Sequence, residues 1–164
     1  MNKSISDHVR ELVKGGALDA ALSLCEDELR DASESEHAAI WLLMAYVHRR
    51  MKDYEAAISD ASRGLQLEPE DGALLFDRAR TLIEMSQFSR ASADLEILIA
   101  GELKRGSEWH LSAARLLQAL CFTKLGRYAD ALNLCKLLPA DASFRALNKV
   151  VTRAQLEEDA LTKG

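Results

Sequence analysis

The sequence predicts an all-α fold assembled from repeated helix pairs, and three observations carry that prediction. First, one short phrase is written four times: GGALDAAL at residues 15–22, MKDYEAAI at 51–58, MSQFSRAS at 85–92 and LGRYADAL at 125–132. Each copy sets a large apolar or aromatic residue (Leu18, Tyr54, Phe88, Tyr128) three positions before an alanine (Ala21, Ala57, Ala91, Ala131). Second, apolar residues between the copies recur at helical spacing. Third, Ala and Leu are abundant, while two prolines and eight glycines leave little room for long loops. Ala and Leu lose little side-chain freedom in a helix and so favour it.

The alanines fall at steps of 36, 34 and 40 residues. The central step is the pure period, and the others add two and six residues. Within the second copy Trp41, Met44, Ala45 and His48 lie at i, i+3, i+4 and i+7, one face of a helix. A short Met51-Lys52-Asp53 turn follows. Then Tyr54, Ala57, Ile58, Ala61 and Leu65 continue the period, with Asp53 as the expected N-cap. Glu68-Pro69-Glu70-Asp71 ends that helix, because proline disfavours helix at the preceding residue. Each unit is therefore expected to be two antiparallel helices and a tight turn. The six extra residues before the fourth unit surround Arg105–His110, and the spacing of Trp109, Ala113, Leu116, Leu117 and Leu120 predicts a helix starting early, near Glu108. After Pro139, the pattern Phe144, Leu147, Val150, Val151, Ala154, Leu156, Leu161 predicts a terminal helix over about residues 143–160 that covers the open end.

The stretch Ala38–Asp71 resembles a tetratricopeptide repeat (TPR). The family's signature positions fall on Trp41, Met44, Ala45, His48, Tyr54, Ala57, Ala61, Gly64 and Pro69. His48 stands where the family prefers an aromatic, Lys52 where it prefers Gly, and Gly64 where it prefers Ala. The next unit keeps Ala79, Phe88 and Ala91 and carries Arg78 at a usually apolar position. The last keeps Ala119, Phe122, Gly126, Tyr128 and Ala131, and the first keeps Gly16 and Ala21. The resemblance implies a right-handed α-solenoid, one domain over residues 1–164, with units at about 2–35, 38–71, 72–105 and 112–138 and a C-terminal capping helix. It also implies which side chains line the groove on the first helices of the pairs: Arg10; Leu42, Tyr46 and Arg49; Phe76, Arg80 and Ile83; and Leu116, Leu120 and Thr123.

Those positions mix large apolar groups with arginines. A groove of that kind suits a protein or peptide partner with apolar anchors and acidic flanks, the arginines offering bidentate contacts to carboxylates. It differs from the family's clamp for chaperone tails, which uses Lys and Asn where this chain has Leu42 with Tyr46 and Phe76 with Arg80. The alternative for the same apolar groups is cover by the chain's own terminal helix or by a second copy, so a homodimer stays open. The expected function is a non-catalytic protein-binding scaffold. The alternative, from the likeness to small, acidic, stand-alone bacterial members of the family, is a dedicated chaperone or antidote (immunity-type protein) for a secreted or toxin partner.

Other classes find little support. The net charge of −5 disfavours nucleic acid, which needs a concentrated basic surface. The basic run His48–Lys52 reads as a solvated helix end with cations near the C-terminal dipole. The longest apolar run, AAIWLLMAYV at 38–47, is shorter than the roughly 20 residues of a membrane span. The opening MNKSISDHVRELV has no apolar signal core, and the odd set Cys25, Cys121, Cys135 has no close pair, so reduced thiols in the cytoplasm are expected. His8, His37, His48 and His110 include no i, i+4 pair, so neither a metal nor another cofactor is expected. No phosphate-binding glycine motif or nucleophile elbow is present, and His48, Cys25 and Cys135 fall at packing positions.

Overall fold

The structure is a computed structural model describing residues 4–108 and 110–163; Met1, Asn2, Lys3, Trp109 and Gly164 lie outside the described residues. In chain order the elements are α1 (Ile5–Lys14), α2 (Leu18–Asp31), α3 (Glu34–Met51), α4 (Tyr54–Leu67), α5 (Gly72–Glu84), α6 (Phe88–Arg105), α7 (Leu111–Lys124), α8 (Tyr128–Cys135), β1 (Ser143–Ala146), β2 (Lys149–Thr152) and α9 (Arg153–Lys163). They fall into two compact units, Met1–Thr81 and Leu82–Gly164, with the boundary inside α5.

The repeated phrase is the turn within each pair. In the first unit, Gly16 and Lys52 take positive φ (79° and 65°); in the second, Ser86 and Gly126 do (58° and 73°). The next N–H then reaches five residues back: Ala17 to Leu12, Asp53 to His48, Gln87 to Leu82 and Arg127 to Phe122, all at 2.8–3.0 Å. This left-handed closure satisfies carbonyls that a helix end would otherwise leave orphaned. The carbonyl of the same residue accepts the N–H of the phrase's alanine, at 3.0–3.1 Å, and so opens the second helix. Ala21, Ala57, Ala91 and Ala131 are each at most 1% exposed. A small apolar side chain suits positions so fully enclosed.

The first unit packs Val9 and Val13 of α1, Ala21 and Cys25 of α2, and Ile40, Leu43, Met44 and Val47 of α3 into one cluster. A fully buried Leu or Val contributes about 1.5–3 kcal/mol by leaving water. Asp53 caps α4 by accepting the Ala56 N–H at 3.1 Å, and Asp71 caps α5 through Leu74 N–H at 2.8 Å. Gly64 on α4 admits the Leu74 side chain: a Cβ there would meet both Leu74 methyls at 2.8 Å. In the second unit the buried set includes Leu82 and Ile83 of α5, Leu95 and Leu98 of α6, Leu117 and Cys121 of α7, and Ala131 and Cys135 of α8.

Three local expectations are corrected. The terminal helix does not span 143–160: residues 143–152 form an antiparallel hairpin, β1 and β2, pairing Phe144 with Val151 and Ala146 with Lys149, and only Arg153–Lys163 is helical. The run Val150-Val151-Thr152 is β-branched and prefers a pleated surface. Leu147 and Asn148 make the two-residue turn, both at positive φ (52° and 59°), and the Leu147 N–H donates to Glu84 Oε1 at 3.0 Å. No Asn-Gly or Asp-Gly pair marks the turn, so the three-residue spacing of apolar groups passed for a helix face. The extra residues near Gly106 lengthen α6 rather than starting α7 early. Gly106, at φ 65°, stops α6 after Arg105, and α7 begins at Leu111; Trp109 lies outside the described residues. Finally, His48 and Arg49 are not solvated. Both turn inward onto carboxylates, leaving Arg50 exposed.

Candidate protein-binding face

The ten groove positions divide unequally between the two units. On α3, Leu42, Tyr46 and Arg49 follow one another at i, i+4 and i+7 and share a face. Leu42 and Tyr46 are partly exposed. Arg49 Nε and Nη2 both donate to Asp77 Oδ1 of α5, at 3.1 and 2.7 Å, and its guanidinium lies 5.6 Å from the Tyr46 ring centre. The pair is largely out of water, with side chains 12% and 10% exposed. Asp77 Oδ2 is buried without a hydrogen-bond partner. Phe76 beside it is 7% exposed, and Arg80 stands 5.9 Å above its ring. Arg10 on α1 is exposed, 3.9 Å from Asp7.

Arg10 and Leu42 also face a common cavity of about 490 Å³. Ile5 of α1, Ala32 after α2, and Ala39, Ile40 and Leu43 of α3 supply its apolar wall; Glu28, Asp31 and Glu36 stand at its edge. Ser33 N–H and Oγ–H both donate to Glu36 Oε2, at 3.0 and 2.6 Å, which holds the start of α3 and keeps that carboxyl below the usual glutamate range.

In the second unit the corresponding residues are closed over. Ile83 and Leu116 are 1% exposed, Leu120 3% and Thr123 9%. Thr123 Oγ donates to the Ala119 carbonyl at 2.9 Å, a bond within its own helix. Leu120 and Thr123 line a cavity of about 450 Å³ whose other walls include Lys149 and Val151 of β2 and Gln155, Leu156 and Asp159 of α9. The hairpin and α9 thus occupy that face of α7, and these four positions offer no open surface.

The arginine expected to meet a partner carboxylate at position 49 already holds one from its own chain. Asp77 was missed because a single sequence gives no sign that residues 28 apart face each other. His48 is half-buried, as its place on the packing face implies, and its Nδ1 lies 2.7 Å from Asp60 Oδ2. Burial raises the Asp60 carboxyl, against the opposing effect of His48. The thiols are poor nucleophiles: burial, reinforced at Cys25 by Asp60, pushes Cys25 and Cys121 up to about 12, and Cys135 is raised too. Among the described residues no three His, Cys, Asp or Glu side chains gather where a metal could sit. No helix among them is long and apolar enough to cross a membrane.

Two family models, both described as tetratricopeptide repeat, match residues 38–81 and 76–146, together running from the second helix pair into the first strand. The chain belongs to the tetratricopeptide repeat family. The solved structures similar to this TPR chain include one described as "MamA RS-1 ArsTM double mutant". It has a TM-score of 0.68 and 16% identity over 80% of this chain and 70% of that one. No curated protein matches the sequence. The fold class is accordingly the all-α TPR solenoid, with a hairpin as its departure, and the family makes the chain a protein-interaction scaffold. The family's preferences explain two local features. Glycine is favoured where Lys52 bears a positive φ, and the Ala that Gly64 replaces would crowd Leu74.

Proposed function

We propose that this TPR chain is a non-catalytic, cytoplasmic adaptor that docks a protein partner on the α1–α3 face of its first unit, with Arg10, Leu42 and Tyr46 in contact and Phe76 and Arg80 beside them. One observation carries the reading. Leu42 and Tyr46 stay accessible, Leu42 on the wall of an apolar cavity of about 490 Å³, while in the second unit Leu116 is buried and Leu120 faces the chain's own second strand and last helix. Exposed apolar groups at a concave place are the usual mark of a binding surface. The three buried thiols fit a reducing compartment.

The test is capture of partners from the native cell by wild type, Tyr46→Ala and Arg80→Glu, each checked for unchanged helicity. Loss of the same captured protein from both variants is the expected result. Undiminished capture by both would remove this face from consideration. The acidic edge of the cavity favours a second, narrower role: a dedicated chaperone or antidote matched to a basic partner. One abundant partner would support that role, and many would support the adaptor.

A further inference from the structure

The acidity of the chain is concentrated in one place. Residues 26–36, EDELRDASESE, hold six carboxylates and one arginine, a net charge of −5 and equal to that of the whole chain. The fold makes this segment the end of α2 and the start of α3, and it sets Glu28, Asp31 and Glu36 at the edge of the α1–α3 cavity. Among the described residues, the nearby arginines do not pair with Glu28, Asp31 or Glu36. Arg30 is turned onto Asp27, and Arg10 approaches Asp7. Among the described residues, neither Glu28 nor Asp31 has an ion-pair partner, and both are exposed. The wall beneath is apolar, with Ile5, Ala32, Ile40 and Leu42. Arg49, which would have drawn an acidic partner, is committed to Asp77.

We infer that the cavity takes an amphipathic segment of a partner protein whose Leu or Phe anchors fill the apolar wall and whose flanking Lys or Arg residues meet Glu28 and Asp31. This rests on the protein-binding reading above and fixes the sign of the partner's charge, opposite to the acidic flanks expected from the sequence. Exposed carboxylates act mainly by steering and selecting a partner, and their effect is screened within about 10 Å at 0.1 M salt. The charge preference therefore fades as salt rises, while the apolar contribution persists.

The experiment uses two synthetic peptides with identical Leu and Phe anchors at helical spacing, one flanked by Lys and one by Glu, titrated by fluorescence anisotropy into the full chain. The Lys-flanked peptide binds about tenfold or more tightly at low salt, the scale of a favourable charge pair. The preference disappears in Glu28→Lys/Asp31→Lys, whose exposed positions leave helicity unchanged, and both peptides lose binding in Leu42→Asp. Equal binding of the two peptides, still lost in Leu42→Asp, would overturn the charge assignment while leaving the docking face in place. Binding of neither peptide would overturn the inference. So would a concentration-dependent dimer dissociated by Leu42→Asp, which would give the cavity to a second copy of the chain.

Discussion

Three side chains show how single residues shape this molecule. Arg49 neutralises Asp77 where both are nearly out of water, and one carboxylate oxygen already lacks a partner. Removing the guanidinium leaves a buried charge uncompensated, which is costlier than deleting the pair. Arg49→Met should destabilise the chain by about 3 kcal/mol in urea unfolding, and Arg49→Met/Asp77→Leu should recover most of that loss. Lys52 stands at φ 65° with a side chain that disfavours it. Lys52→Gly relieves the strain at some cost in chain entropy, and a net gain of about 0.5–1 kcal/mol should appear in the same assay. Glu36 has a carboxyl held low by the two Ser33 donors. A depressed folded-state pKa means its stabilisation is complete above the ordinary glutamate range, about pH 4.3, and is lost as pH falls through the lowered value. Melting temperature followed downward from about pH 6 should fall less steeply in Glu36→Gln than in wild type.

At the scale of elements, the turn is the repeated object, and its alanine is buried in every copy. Ala57 and Ala91 are at most 1% exposed. Ala57→Leu or Ala91→Leu should each cost about 1–3 kcal/mol by overpacking, read from the urea midpoint. A neutral result for either would place the closest helix contact elsewhere. The helix pairs were legible because their information is local: period, cap and turn are written within a few residues, as in Asp53 with Ala56 or Gly126 with Phe122. The hairpin was not, because Leu147 and Asn148 form a left-handed turn without the glycine that signals one. Part of the reason they adopt it is a bond from the Leu147 N–H to Glu84, 63 residues earlier. The end of α6 was misread for a similar reason: apolar spacing continues across Gly106, but the backbone turns there.

For the whole molecule, the candidate site was legible as a set of positions and illegible as a surface. Family resemblance could name Leu42, Tyr46, Leu116 and Leu120 alike, since all lie on first helices. It could not say that Leu116 is buried and Leu120 faces β2 and α9, nor that Asp77 satisfies Arg49; both are long-range events of packing. What remains accessible is the α1–α3 face, and the central claim is that a partner sits there. Photo-crosslinking tests it directly, with a benzoylphenylalanine at position 42 and, as controls, at Leu67 on α4 and Ile97 on α6, exposed apolar residues 51% and 46% accessible. Adducts from position 42 in the native cell, absent at 67 and 97, are the predicted result; adducts from 67 or 97 with none from 42 would contradict it.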